Sequence, residues 1–151
     1  MKKEEALRLL SEIVDDTNVG VLTTVENGYP RARWMTVGIL KGRPGALFSV
    51  TLESSPKLKQ IAENPNVEWL LQSRNLDRII NVRGKVNVID NPALRAEVLE
   101  SIGGKLTTLW KIRHDHLQKL LVLETVIEEM AYFIPLKGEL KVARFNGGES
   151  E

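Results

Sequence analysis

The pattern of apolar and polar positions changes period along the chain. Ala6, Leu7, Leu10, Ile13 and Val14 fall at helical spacing with charges between them, which predicts an amphipathic helix over residues 3–15. From there the pattern turns β-rich. VGVLTTV (19–25) and YPRARWMTVGIL (29–40) read as strands, and Glu26-Asn27-Gly28 between them tolerates the positive φ angles of a hairpin turn. Residues 41–45 form the next turn, with Gly42 and Gly45 as turn glycines, and residues 46–51 a third strand. Ser55 at a cap position and Pro56 just after it open a short helix with the apolar stripe Leu58, Ile61 and Ala62, and Asn64-Pro65 ends it. Strands over 67–73 and 78–89 follow. In the second, Ile80, Val82, Val86 and Val88 share one face, and Asn81, Arg83, Lys85 and Asn87 the other. Gly84 interrupts the apolar face, the mark of a bulge or a close backbone approach. Asn91-Pro92 opens another helix to about residue 101. A further helix is expected from Gly104 to about Lys119, and strands over 121–134 and 139–145 close the pattern.

About six antiparallel strands with short helices in the connections predict a mainly β fold, a closed or nearly closed small barrel. The 151 residues show no repeat or linker, so one domain over 1–151 is expected. The formal net charge of +1 argues against a nucleic-acid binder, which usually carries a basic balance or stripe. There is no cysteine, which excludes disulfides, thiolate catalysis and Cys-ligated zinc. The start, MKKEEALRLLSEIVDD, is too charged for a signal peptide, and no stretch is apolar enough to span a bilayer, so a cytoplasmic protein with no membrane partner is expected.

Candidate chemistry is sparse. His114 and His116 diverge on a helix and lack a third ligand, so a surface turn explains them better than a metal site. Glu128-Glu129 alternate on a strand and read as one solvated residue and one interface contact. Trp69 reads as core; Trp110 could cover a planar ligand or serve packing. Two stretches are basic. In SSPKLKQ, Lys57 lies in the first turn of a helix, where the dipole disfavours it, and Lys59 follows; Thr51, Ser54 and Ser55 add hydroxyls. In PRARWM, strand alternation puts Arg31, Arg33 and Met35 on one face, and arginine suits phosphate through its planar fork. Each stretch taken alone is explained more simply as a solvated surface. Together they outline a phosphate site.

The order GYPRARWM, a turn, ALFSVT, then SSPKLKQIAENPNVEWLL and a strand ending VRGKVNVID resembles the FMN-binding split-barrel superfamily. That superfamily includes pyridoxamine 5′-phosphate oxidase and the small general stress flavoproteins, and the second group is the more similar. The resemblance covers residues 5–90 well and the remainder loosely. It implies a split barrel with FMN as cofactor. Arg33 matches the strand arginine of the family's phosphate site, Ser55 and Lys57 the serine and lysine of the helix start, and Thr51 a threonine ending the preceding strand. Trp34, Met35 and Thr36 match the segment whose backbone lies along the flavin ring. Pro56 stands where the oxidase has a second arginine, and Ile79 near an oxidase glutamine that meets the flavin. The ending ARFNGGESE has no counterpart of the oxidase's Arg-x-His element, so pyridoxamine phosphate oxidation is not expected.

The resemblance therefore implies an FMN-dependent oxidoreductase taking electrons from a reduced nicotinamide and passing them to a small molecule. The alternative it leaves open is a non-catalytic flavin, haem or deazaflavin binder, or a stress-response protein. It also implies a homodimer with the flavin in the interface. The apolar stretch 121–134 exceeds what one small barrel needs, and an obligate interface of roughly 2,000 Å² or more is expected.

Overall fold

The computed structural model describes residues 1–103 and 119–145. The elements run α1 (Lys3–Thr17), β1 (Val19–Glu26), β2 (Tyr29–Thr36), β3 (Ala46–Leu52), α2 (Pro56–Glu63), β4 (Asn66–Gln72), β5 (Ile79–Ile89), α3 (Pro92–Ile102), β6 (Leu120–Ile134) and β7 (Glu139–Arg144). The helix expected over 104–119, with Trp110, His114 and His116, lies outside the described residues.

The strands form one antiparallel sheet in the order β2-β1-β4-β5-β6-β3. β7 shares an edge of β6 with β3: β3 pairs with the first half of that long strand and β7 with the second. The sheet does not close. Its ends, β2 and β3, come near each other without forming a continuous ladder, so the expected barrel is seven-stranded and split along one seam. The β1–β2 hairpin turns on Asn27 (φ 51°) and Gly28 (φ 82°), the backbone that Asn-Gly tolerates best. The β5–β6 register shifts between Arg83 and Gly84, a bulge as read from the sequence. A Cβ on Gly84 would lie 2.2 Å from the Val126 carbonyl oxygen, so only glycine lets the strands approach there.

Three sequence expectations are corrected. The strand read over 29–40 stops at Thr36, because Val37 is clasped to the end of α1: its N–H donates to Asn18 O, and Asn18 Nδ2 donates to Val37 O. Val88 was expected on the buried face but is 43% exposed; β4 ends opposite Lys85, so no β4 residue stands beside Val88. Much of the apolar surplus in β6 is taken up within the chain, since its two faces feed two cores, while Val126 stays 43% exposed. Leu123, Ile127, Met130 and Tyr132 join the main core with Trp69, Leu22 and the buried face of α1. Val122 faces the opposite way, with Phe48 and Val50 under Leu94, Val98 and Ile102 of α3. Trp69 is fully buried and donates from Nε1 to Thr125 Oγ1 at 3.0 Å, so its polar edge is satisfied inside the core. Glu128 and Glu129 both bind cations across the sheet, Glu128 to Lys85 and Glu129 to Arg83 and Arg144.

Candidate functional site

The split in the sheet shapes a cavity. Just past β2, Gly38 exchanges two backbone hydrogen bonds with Phe48 of β3, at 2.8 and 2.9 Å. That bridge pins the seam at one end. Continuing its antiparallel register would set Thr36 against Val50 and Trp34 against Leu52, but the strands separate instead. Between them lies a cavity of about 510 Å³, walled by Trp34, Met35 and Thr36 on one side and Val50, Thr51 and Leu52 on the other. Residues 54–57, at the start of α2, close one end. Both walls are edge strands, so each turns a row of unpaired backbone groups toward the gap. Sidedness follows the hairpin register. Met35, Arg33 and Arg31 stand opposite the buried positions Gly20, Leu22 and Thr24, while Trp34 stands opposite Val21 and points out.

The α2 end carries the charge. Lys57 Nζ donates to Thr51 Oγ1 at 2.7 Å and to Ser55 Oγ at 2.6 Å. Ser55 holds the N-cap position, yet its hydroxyl makes no cap bond; it accepts from Lys57 instead. Arg33 is half-buried and points under β1. Its Nη1 donates to Leu22 O at 3.0 Å, and its Nη2 donates to Thr24 Oγ1 at 2.8 Å and Gln60 Oε1 at 3.0 Å. Partial burial, then the nearby positive charge of Arg33, bring the Lys57 ammonium down to about pKa 8. Burial also lowers the Arg33 guanidinium. Among the described residues, every acceptor that either cation meets is neutral.

Six of the seven residues singled out from the sequence, Trp34, Met35, Thr36, Thr51, Ser55 and Lys57, therefore line one cavity. Arg33 does not; it sits behind the α2 end, close enough to lower the Lys57 pKa. Thr36 Oγ1 is buried with no hydrogen-bond partner among the described residues. Lys59 is exposed and takes no part. Sequence reasoning missed Gln60 and Thr24. Gln60 follows Lys57 by three residues and so shares its face of α2, a spacing that could have drawn it in. Among the described residues, no cavity-lining side chain is a carboxylate or an imidazole. Among the described residues, no cluster of three or more His, Asp or Glu could hold a metal, and no helix is long and apolar enough to cross a membrane.

The family model of pyridoxamine 5′-phosphate oxidase matches residues 7–133, most of the chain. The chain belongs to the pyridoxamine 5′-phosphate oxidase family. Within that family it is similar to General stress protein 26 of Bacillus subtilis (strain 168), 26% identical over 107 residues, covering 67% of this chain and 72% of that protein. The crystal structure of General Stress Protein 26 from Bacillus anthracis str. Sterne superposes with a TM-score of 0.66 at 22% identity, covering 94% of this chain and 98% of that one. A FAD-binding protein of Mesorhizobium loti has the same fold, with a TM-score of 0.61 at 12% identity over 83% of this chain and 90% of that one. The family match takes in the whole split, from β2 through α2 to most of β6.

Proposed function

We propose that this chain binds FMN in the split between β2 and β3 and acts as an oxidoreductase, taking electrons from a reduced nicotinamide for a small-molecule acceptor. The observation that carries the reading is the pairing of Arg33 and Lys57: two half-buried like charges beside one cavity, held only by neutral acceptors. Like charges brought out of water oppose each other, and an anion relieves both. The residues fit the cofactor in three respects. The volume of about 510 Å³ lies within the range of small-ligand sites. The α2 end offers a cation and hydroxyls suited to a phosphate, and the long walls are mostly apolar with free backbone edges, suited to a planar ring system. A FAD-binding relative of the same fold agrees with a flavin.

In this reading Lys57 holds the phosphate directly, with Thr51 and Ser55 orienting its ammonium, and Arg33 adds a second charge from behind. Trp34, Met35 and Thr36 lie along the ring. A bound flavin supplies hydride or single-electron transfer, so the chain itself need not provide a catalytic acid or base. That suits a cavity wall with no carboxylate or imidazole among the described residues. The protein's part is to anchor the phosphate, orient the ring and exclude water.

We further propose a two-fold homodimer. Trp34 is 82% exposed although it walls the cavity, and across the sheet it shares a rung with Val21 and the 38%-exposed Leu70. A second copy covering this stripe would also close the cavity. A cavity wall whose described residues include no carboxylate or imidazole also suits a non-catalytic flavin carrier, as does the likeness to general stress proteins. Anaerobic addition of NADPH to the FMN-loaded protein separates the two. Bleaching of the flavin absorption supports the oxidoreductase; bound flavin inert to NADPH supports the carrier.

A further inference from the structure

We infer that Gln60, with Thr24, is a positioning residue for the anion site: it fixes the Arg33 guanidinium with a neutral acceptor, so that the arginine's charge stays available to a bound phosphate. The inference rests on the FMN reading above and deepens it.

The geometry is a closed triangle. Arg33 Nη2 uses both of its N–H groups, one on Thr24 Oγ1 at 2.8 Å and one on Gln60 Oε1 at 3.0 Å, and Thr24 Oγ1 itself donates to Gln60 Oε1 at 2.6 Å. Thr24 is fully buried and Gln60 is 8% exposed, so neither acceptor is displaced easily by water. Leu22 O takes a third N–H at 3.0 Å. A guanidinium has five N–H groups, which leaves two unused and the plane fixed. Most buried guanidinium groups pair with a carboxylate, and glutamate differs from glutamine by one atom. A glutamate at position 60 would make a stronger bond to Arg33, but it would also cancel the charge. Gln60 keeps the orientation and spares the charge. Three residues separate it from Lys57, so one face of α2 carries both the phosphate-facing ammonium and the group that aims the second cation.

The test compares wild type, Gln60→Glu and Gln60→Met by titrating FMN into flavin-free protein and following fluorescence quenching, with melting temperature recorded for each. Gln60→Glu is expected to remain folded and to weaken FMN binding on the order of tenfold, the equivalent of one lost charge contact. Gln60→Met, which keeps the charge but loosens the guanidinium, should weaken it by about threefold. The pH profile supplies a readout that a purely structural role would not move. Besides burial, the field of Arg33 lowers the Lys57 pKa, so a carboxylate beside Arg33 should shift the alkaline loss of affinity to higher pH in Gln60→Glu alone. Gln60→Glu binding as tightly as wild type, with an unmoved pH profile, overturns the inference. Should Gln60→Glu not fold, Gln60→Met binding as tightly as wild type overturns it. A wild-type protein that binds no FMN removes the cofactor reading itself, and the inference falls with it; that failure shows at the first titration, before any variant is compared.

Discussion

Replacing Lys57 by alanine separates binding from folding. The ammonium sits at the α2 end of the cavity, with two N–H groups on Thr51 and Ser55 and a third left to meet a phosphate oxygen. Losing that charge-assisted bond should cost about 1.5–3 kcal/mol of binding, or roughly ten- to a hundredfold in the FMN dissociation constant. Stability should respond quite differently. Thr51 is only 3% exposed and would lose a donor, a loss of about 1 kcal/mol. Against it, the variant relieves an ammonium that burial and Arg33 both disfavour, at a helix end where a positive charge opposes the dipole. The two effects oppose each other, so the melting temperature should stay within about 4 °C of wild type. Fluorescence titration of FMN and thermal denaturation of the same two proteins check both halves. Equal dissociation constants would refute the reasoning and leave Lys57 as a solvated lysine whose hydroxyl contacts serve only the fold.

Other outcomes follow from the same geometry. In the free protein Lys57 loses its proton near pH 8, so FMN affinity should fall as the pH climbs past about 8, by up to about tenfold per unit; a flat profile to pH 9.5 would count against it. Without ligand the sign reverses: between about pH 8 and the ordinary lysine value of 10.5 the folded chain binds fewer protons than the unfolded one, so this lysine's contribution makes stability rise with pH, and Lys57→Met should flatten that rise in urea melts. Gly84→Ala should lower stability by about 1–3 kcal/mol, because its Cβ meets the Val126 backbone at 2.2 Å; unchanged denaturant midpoints would contradict this. Trp34→Ser should leave each protomer folded yet shift sedimentation from dimer toward monomer; a wild type that sediments as a monomer at micromolar concentration would remove the dimer proposal.

Local chemistry made much of this fold legible. Asn27-Gly28 carries its turn in two residues, and Gly84 reveals a bulge because a missing side chain in an alternating strand has few other causes. Asn91 is equally local: its Oδ1 accepts from Leu94 N and caps α3. What escaped depends on partners far along the chain. Residues 37–40 are as β-prone as those before them, and only the clasp of Val37 by Asn18 and the bridge from Gly38 to Phe48 end β2 and open the seam. The apolar surplus of β6 looked like an interface because the pattern of one strand cannot show that α3 covers its outer face. At the site, residue types that favour phosphate marked Lys57 and Arg33. The direction in which Arg33 points is set by Thr24 and Gln60, nine and twenty-seven residues away, and the only local hint of it is the spacing of Gln60 from Lys57 along α2.

The central claim is that the split between β2 and β3 is a flavin site, and the most direct measurement is the titration of FMN into flavin-free protein, followed by absorption and fluorescence with inorganic phosphate as competitor. The account expects saturable binding of one FMN per chain, weakened by phosphate because both occupy the Lys57 end of the cavity, together with a raised melting temperature. Unquenched FMN fluorescence at every protein concentration, with no change in melting temperature, would contradict it.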